Sequence, residues 1–244
     1  MNEQRDLVSE LALFLLQRNY EPGERVPSER ELAERFKAGR GHIREALAYL
    51  EALRIIDRRA KSGIYMSSDA ASIEALALFA RIGAPLKLDE VRQSNEMRRI
   101  HEITAVRLAC ERATLENFDR IREILAASVR RMEAGEPIDL EDRDFHLEIV
   151  NATQNNVFYR IVRIFYLMTA ERRRLYFQRP ETCRESHESH VRIFEAIAKR
   201  DAMLAMDLID THLKRAGNFW ETLLEGQSVH PREQQTAWVR HIAG

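Results

Sequence analysis

The sequence predicts a mostly α-helical chain in two parts: an N-terminal winged helix-turn-helix, of three helices and a small β-hairpin, and a C-terminal all-α antiparallel bundle. Three observations carry this expectation. Two helix starts, an arginine-studded helix and a pair of alternating strands follow one another within residues 25–66. Beyond residue 70 the apolar positions recur at helical spacing, with no strand-like stretch between them. The breaks at Gly83-Ala84-Pro85, Gly135-Glu136-Pro137 and Arg179-Pro180 imply short connections, as between antiparallel neighbours. The expected division is a winged helix-turn-helix at 1–67, a linker and linker helix at 68–87, a helical effector and dimerisation domain at 88–226, and a polar tail at 227–244.

Leu7, Leu11, Phe14 and Leu15 share one helical face and stop at the turn signal Asn19-Tyr20-Glu21-Pro22-Gly23, which predicts a first helix at 6–18. Ser28 with Glu31 forms a capping box after Pro27 and starts a second helix at 28–36. After Lys37-Ala38-Gly39, the residues Ile43, Ala46, Leu47 and Leu50 give the third helix an apolar face. Arg40 and Arg44 stand one turn apart on its other face. Residues 55–59 and 64–66 alternate as strands around the basic tip Ala60-Lys61-Ser62-Gly63. The helical segments that follow are expected near 70–82, 88–112, 115–133, 139–152, 155–178, 183–199 and 201–224.

Composition agrees with a globular chain: 45% of residues are hydrophobic and 32% charged. The formal net charge of −1 hides a local excess, since Arg35–Lys61 holds eight Lys/Arg against three Asp/Glu. A phosphate backbone requires such an excess. Cys110 and Cys183 show no pairing or CxxC spacing, which argues against a disulfide framework and a thiolate metal site. There is no signal-peptide pattern and no apolar run near the ~20 residues of a membrane span, so a cytoplasmic protein is expected.

A third helix with arginines in its N-terminal turns is what the major groove admits, where arginine binds guanine O6 and N7 in bidentate fashion. An arginine pair alone is better read as a solvated face; the hairpin that follows reverses that preference. This region resembles the GntR family of bacterial transcription regulators. The resemblance lies in Pro22-Gly23-Glu24-Arg25-Val26-Pro27-Ser28-Glu29-Arg30-Glu31-Leu32-Ala33-Glu34, in Arg40, in Ile43-Arg44-Glu45-Ala46-Leu47, and in Gly63. It implies that Arg30, Arg40 and Arg44 contact double-stranded operator DNA, a short inverted repeat, with Gly63 at the wing.

In the second part, Asp142 and His146 are spaced i,i+4 and share one helical face. His190 and His212 lie in two later helices. Three imidazoles and a carboxylate converging in a bundle core suit a divalent transition metal, zinc foremost, with nickel, manganese or iron as alternatives. Spacing between separate helices does not establish the convergence. The region resembles the FCD effector domain of the FadR branch of GntR regulators. That resemblance places Asp142, His146, His190 and His212 as metal ligands and leaves His187, one turn before His190, outside the set. It also implies effector contacts at Arg98, in Glu96-Met97-Arg98 followed by Glu102, and at Asn155, in Ala152-Thr153-Gln154-Asn155. Two structural readings stand beside these roles: an ion pair of Arg98 with Glu102, and a helix cap at Asn155. Arg172-Arg173-Arg174 reads as a solvated or interfacial charge run, and Phe158, Ile161, Val162, Phe165 and Met168 as core or dimer packing.

The expected function is a ligand-responsive, sequence-specific transcription regulator without catalytic residues: a homodimeric repressor of a catabolic operon, modulated by a small carboxylate bound beside the metal. A linker around Ser67–Asp69 would pass the signal to the readers. Two rival readings remain at this point, a metalloenzyme built on the same Asp/His cluster and a regulator for which the metal itself is the signal.

Overall fold

The computed structural model describes residues 2–18, 20–67, 72–82 and 88–228. The linker positions 68–71, the break at 83–87 and the tail from 229 lie outside the described residues. The chain divides into two compact units, Met1–Ala84 and Pro85–Gly244.

In the first unit, α1 (Asn2–Gln17), α2 (Glu29–Phe36) and α3 (Arg40–Ala52) enclose one core. Leu11, Leu15, Leu32, Ile43, Leu47, Leu50 and Ile56 are fully buried there, each contributing about 1.5–3 kcal/mol of apolar transfer free energy. The capping box is present: Ser28 Oγ accepts from Glu31 N, and Glu31 Oε2 accepts from Ser28 N at 2.8 Å. Lys37, in the left-handed region at φ 50°, ends α2 and aims the chain into α3. β2 (Ile56–Arg59) and β3 (Gly63–Met66) form the expected hairpin. A two-residue strand that the sequence does not announce, β1 (Arg25–Val26), adds to the other edge of β3, so the antiparallel sheet runs β1-β3-β2. α4 (Ile73–Arg81), in the segment read as linker, packs Ala75 and Leu78 into this same core.

The second unit is all helix among the described residues: α5 (Leu88–Arg112), α6 (Leu115–Glu133), α7 (Asp139–Asn151), α8 (Asn156–Met168), α9 (Ala170–Tyr176), α10 (Pro180–Ala198) and α11 (Ala202–Ser228). α11 runs along α5, and α7 lies between α5, α6 and α10. The main core joins Ala105, Phe118, Ile121, Phe145, Val150, Val162, Tyr166, Ile193, Ile197 and Ile209. A smaller cluster of Val91, Ile138, Tyr176, Phe177, Cys183 and Trp220 forms separately.

Boundaries differ from the sequence reading at several points: α1 starts at Asn2 rather than 6, α11 runs to Ser228, past the expected end at 224 and into the segment read as tail, and two further differences have a local cause. The segment at 155–178 is two helices, because the chain breaks at Thr169, whose hydroxyl bonds back to Phe165 O at 3.2 Å. The apolar pattern continues through that break and masks it. α10 begins at Pro180 rather than 183, since a proline at the first helical position lacks only an N–H that would be unsatisfied anyway. No described helix is long and apolar enough to cross a membrane.

Candidate functional site

The site is built around α7. One helical turn separates Asp142 and His146, and the packing of Phe145, Ile149 and Val150 beneath the helix turns that face inward, leaving both polar residues buried. α10 brings His190 and α11 brings His212, and both are buried as well. His190 Nε2 stands 3.3 Å from His212 Nε2 and 3.5 Å from Asp142 Oδ1, and His146 Nε2 is 3.6 Å from Asp142 Oδ1. One ligand atom from each of the four residues lies within 4.8 Å of all the others. The Phe145 ring stacks on His190 at 4.1 Å between centroids and holds that imidazole in place.

These four residues fit a metal ion. Bonds of about 2.1 Å put neighbouring ligand atoms about 3.0 Å apart around a six-coordinate ion and about 3.4 Å apart around a tetrahedral one, close to the three spacings between His190, His212, His146 and Asp142. His146 Nε2 is buried without a hydrogen-bond partner, a cost that coordination would remove. The charge balance agrees. Burial opposes ionisation of Asp142, yet contact with His146 and the charges of His146, His190 and Arg98 hold its carboxyl well below the usual range. Burial, reinforced by neighbouring rings, drives the His190 pKa far down and pushes His212 down to about 3. Neutral His190 and His212 with an ionised Asp142 are ligand states a metal requires, whereas His146, whose pKa Glu102 raises against burial, would have to give up its Nε2 proton on binding. His187 is outside the cluster, its Nδ1 buried and unpaired elsewhere.

Behind the cluster runs a charge chain that the sequence shows only in part. Arg98 Nε donates to Glu102 Oε1 at 2.7 Å and its Nη2 donates to the Tyr166 hydroxyl at 3.0 Å; the same hydroxyl donates to Glu102 Oε1. Glu102 Oε2 meets His146 Nδ1. Burial opposes the charge of Glu102, but His146 and Arg98 hold its carboxyl below the normal range. Sequence reasoning paired Glu102 with Arg98 through their i,i+4 spacing and missed its contact with His146, which depends on how α5 packs on α7.

A cavity of about 40 Å³ opens beside the cluster, lined by Asp142, His212, Arg98, Arg172 and Arg173, with Phe165, Tyr176 and Trp220 as its apolar wall. Arg98 makes the ion pair with Glu102 and also lines the cavity. The charge run of α9 is corrected in part. Arg173 is buried, donating to Asp139 O, Tyr166 O and the Thr169 hydroxyl at 3.1 Å each, and Arg172 lines the cavity with it. The break at Thr169 redirects α9 so that these side chains turn inward. Asn155 takes the capping role, its Oδ1 accepting from Val157 N and Phe158 N at 3.2 and 3.1 Å on an exposed helix start. It is not among the residues that line the cavity. His101 packs against the Phe158 ring and does not line the cavity.

In the first unit Arg30, Arg40 and Arg44 are exposed, with Arg40 opening α3 and Arg44 one turn on. Arg44 forms a 3.3 Å ion pair with Glu29 of α2 that stays exposed enough to exchange partners. At the wing, Arg59 lies over the Tyr65 ring, whose hydroxyl meets Ser62 Oγ at 2.6 Å. Gly63 has φ +133°, and a Cβ there would stand 2.9 Å from Arg25 Nε. The glycine thus lets the Arg25 guanidinium lie against the start of β3, adding a cation to the wing.

Residues 93–215 match the model of the FCD domain, and residues 4–66 match that of bacterial regulatory proteins of the gntR family. The transcriptional regulator LutR of Bacillus subtilis is 27% identical over 197 residues, covering 79% of this chain and 89% of that protein. The transcriptional repressor NanR of Edwardsiella tarda is 28% identical over 220 residues, covering 88% and 84%. Among solved structures, Lar, which controls expression of the Listeria monocytogenes agr system, superposes with a TM-score of 0.66 at 16% identity, covering 89% of this chain and 95% of that one. That likeness speaks to the fold.

Proposed function

The chain belongs to the FCD-domain branch of the GntR family, a transcription regulator rather than an enzyme, and we propose that it is a homodimeric, cytoplasmic repressor released from its operator by a small carboxylate. The observation that carries this reading is the cavity that Arg98 lines together with Asp142 and His212, two members of the Asp142, His146, His190 and His212 cluster. Those four residues would hold a divalent transition metal, zinc foremost, and a five- or six-coordinate ion there would keep open positions toward the cavity. The metal would supply a Lewis-acid contact for one carboxylate oxygen. Arg98 would offer its guanidinium edge to the same acid. Glu102 and Tyr166 keep that guanidinium from swinging away. Sugar acids and di- or tricarboxylates fit this chemistry, and repression of the operon that consumes the acid follows from its role as releasing signal.

The dimer is supported by exposed apolar side chains on two adjoining helices: Met97 and Ile100 on α5, and Val157, Ile161 and Leu167 on α8. A two-fold axis through such a patch sets two recognition helices on half-sites of an inverted repeat. An acid that binds better to the DNA-incompetent arrangement shifts the population by its differential affinity alone.

Fluorescence anisotropy of a labelled operator with metal-loaded protein tests the reading. Release by a carboxylate from a panel of sugar acids and di- and tricarboxylates, abolished by chelation and by Arg98→Gln, supports it. Release by metal alone, with no acid required, contradicts it in favour of a metal sensor.

A further inference from the structure

The cavity contains donors that the carboxylate reading leaves unused. Arg172, on α9, reaches Ser94 Oγ only at 3.4 Å, and its Nε is buried without a partner. Asn95, one turn before Arg98 on α5, also has a buried, unpartnered Nδ2. Both residues line the cavity. Gly217 of α11 makes room for the amide, since a Cβ there would stand 3.3 Å from Asn95 Nδ2.

Two buried donors without partners, on residues that line one cavity, call for an acceptor. The nearby carboxylates do not serve: Glu102 is engaged by Arg98, Tyr166 and His146, and Asp142 stands among the histidines. Arg173 is committed to backbone carbonyls and the Thr169 hydroxyl, with Asp142 Oδ2 at 3.9 Å as its acid partner. Arg172 is therefore the guanidinium of this cavity without an acid partner. Burial and the charges of Arg98 and Arg173 weaken its hold on its proton, and an anion beside it would reverse that repulsion.

We propose that Arg172 and Asn95 form a second anion subsite, so that the effector carries two carboxylates, one held beside the metal cluster and Arg98 and the other by Arg172 Nε and Asn95 Nδ2. The proposal rests on the cavity being the effector site. It narrows the ligand to dicarboxylic acids with a short carbon skeleton, which Phe165, Tyr176 and Trp220 would cover.

The test is calorimetric titration of metal-loaded, full-length protein with the straight-chain dicarboxylates from malonate to adipate, each against the monocarboxylate of equal carbon number. At least one dicarboxylate is expected to bind tenfold or more tighter than its monocarboxylate. Arg172→Gln and Asn95→Ala should each remove that advantage while leaving monocarboxylate binding unchanged, and Arg98→Gln should weaken both acids. Asn95→Ala retains every charge and carries the test should Arg172→Gln fail to fold. Monocarboxylates that bind as tightly as dicarboxylates, or a preference that survives Asn95→Ala and Arg172→Gln, would overturn the second subsite and leave the effector reading standing. Absence of binding by every acid in both series would overturn the effector reading itself, and the subsite with it.

Discussion

Glu102 Oε2 meets His146 at Nδ1, on the ring edge away from Nε2, and it is Nε2 that faces Asp142 Oδ1 at 3.6 Å. A carboxylate holding one nitrogen of an imidazole fixes the tautomer and aims the other nitrogen at the metal. Because Glu102 also binds Arg98, the cluster and the guanidinium are positioned by one side chain.

Glu102→Gln keeps all four ligands and the side-chain volume but removes the charge that orients His146. Metal affinity, measured by competition with a chromogenic chelator, is expected to fall about 10–100-fold. An unchanged affinity would show that ring packing alone sets His146.

The buried histidines impose a pH dependence on the metal-free protein. His190 and His212 titrate below the unfolded value of about 6.5, because burial and neighbouring rings disfavour their charge. The unfolded chain thus binds two more protons, and stability present above pH ~6.5 is lost as pH falls, by at most about 3 kcal/mol per pH unit for the pair. His146 runs the other way: Glu102 outweighs burial and raises its pKa, so its contribution is full below pH ~6.5 and is lost as pH rises through the raised value. Melting temperature of the metal-free protein against pH should therefore show a steep acid limb and a shallower alkaline one.

Arg44→Ala removes a guanidinium from the recognition helix without touching the bundle. Operator binding is expected to weaken about 5–150-fold, the 1–3 kcal/mol of a bidentate base contact, with metal content unchanged. Retained sequence-specific binding would reassign the Glu29-paired Arg44 to a structural role.

Gly63→Ala forces a side chain into a φ of +133° and against Arg25. The reader should lose at least about 1 kcal/mol of stability, seen as a lower urea midpoint for its transition, with weaker operator binding as the wing shifts.

How far the sequence discloses these features depends on how local they are. The Ser28/Glu31 capping box and the Asp142/His146 pair each lie within one helical turn, so spacing alone reveals them. The convergence of His190 and His212 is tertiary, and only resemblance to a family placed them with α7. The Glu102–His146 contact and the inward turn of Arg172 and Arg173 stayed hidden for the same reason. A run of three arginines reads as solvated unless the break at Thr169 is known. β1 is too short for alternation to register, and its pairing depends on β3 forty residues away.

Metal content by mass spectrometry of the purified wild type, His190→Ala and His187→Ala, each confirmed folded by circular dichroism, tests the centre most directly. One equivalent per chain is expected in the wild type and in His187→Ala, with loss in His190→Ala. Full occupancy in His190→Ala with loss in His187→Ala, or a wild type that takes up no divalent metal, would contradict the four-residue centre.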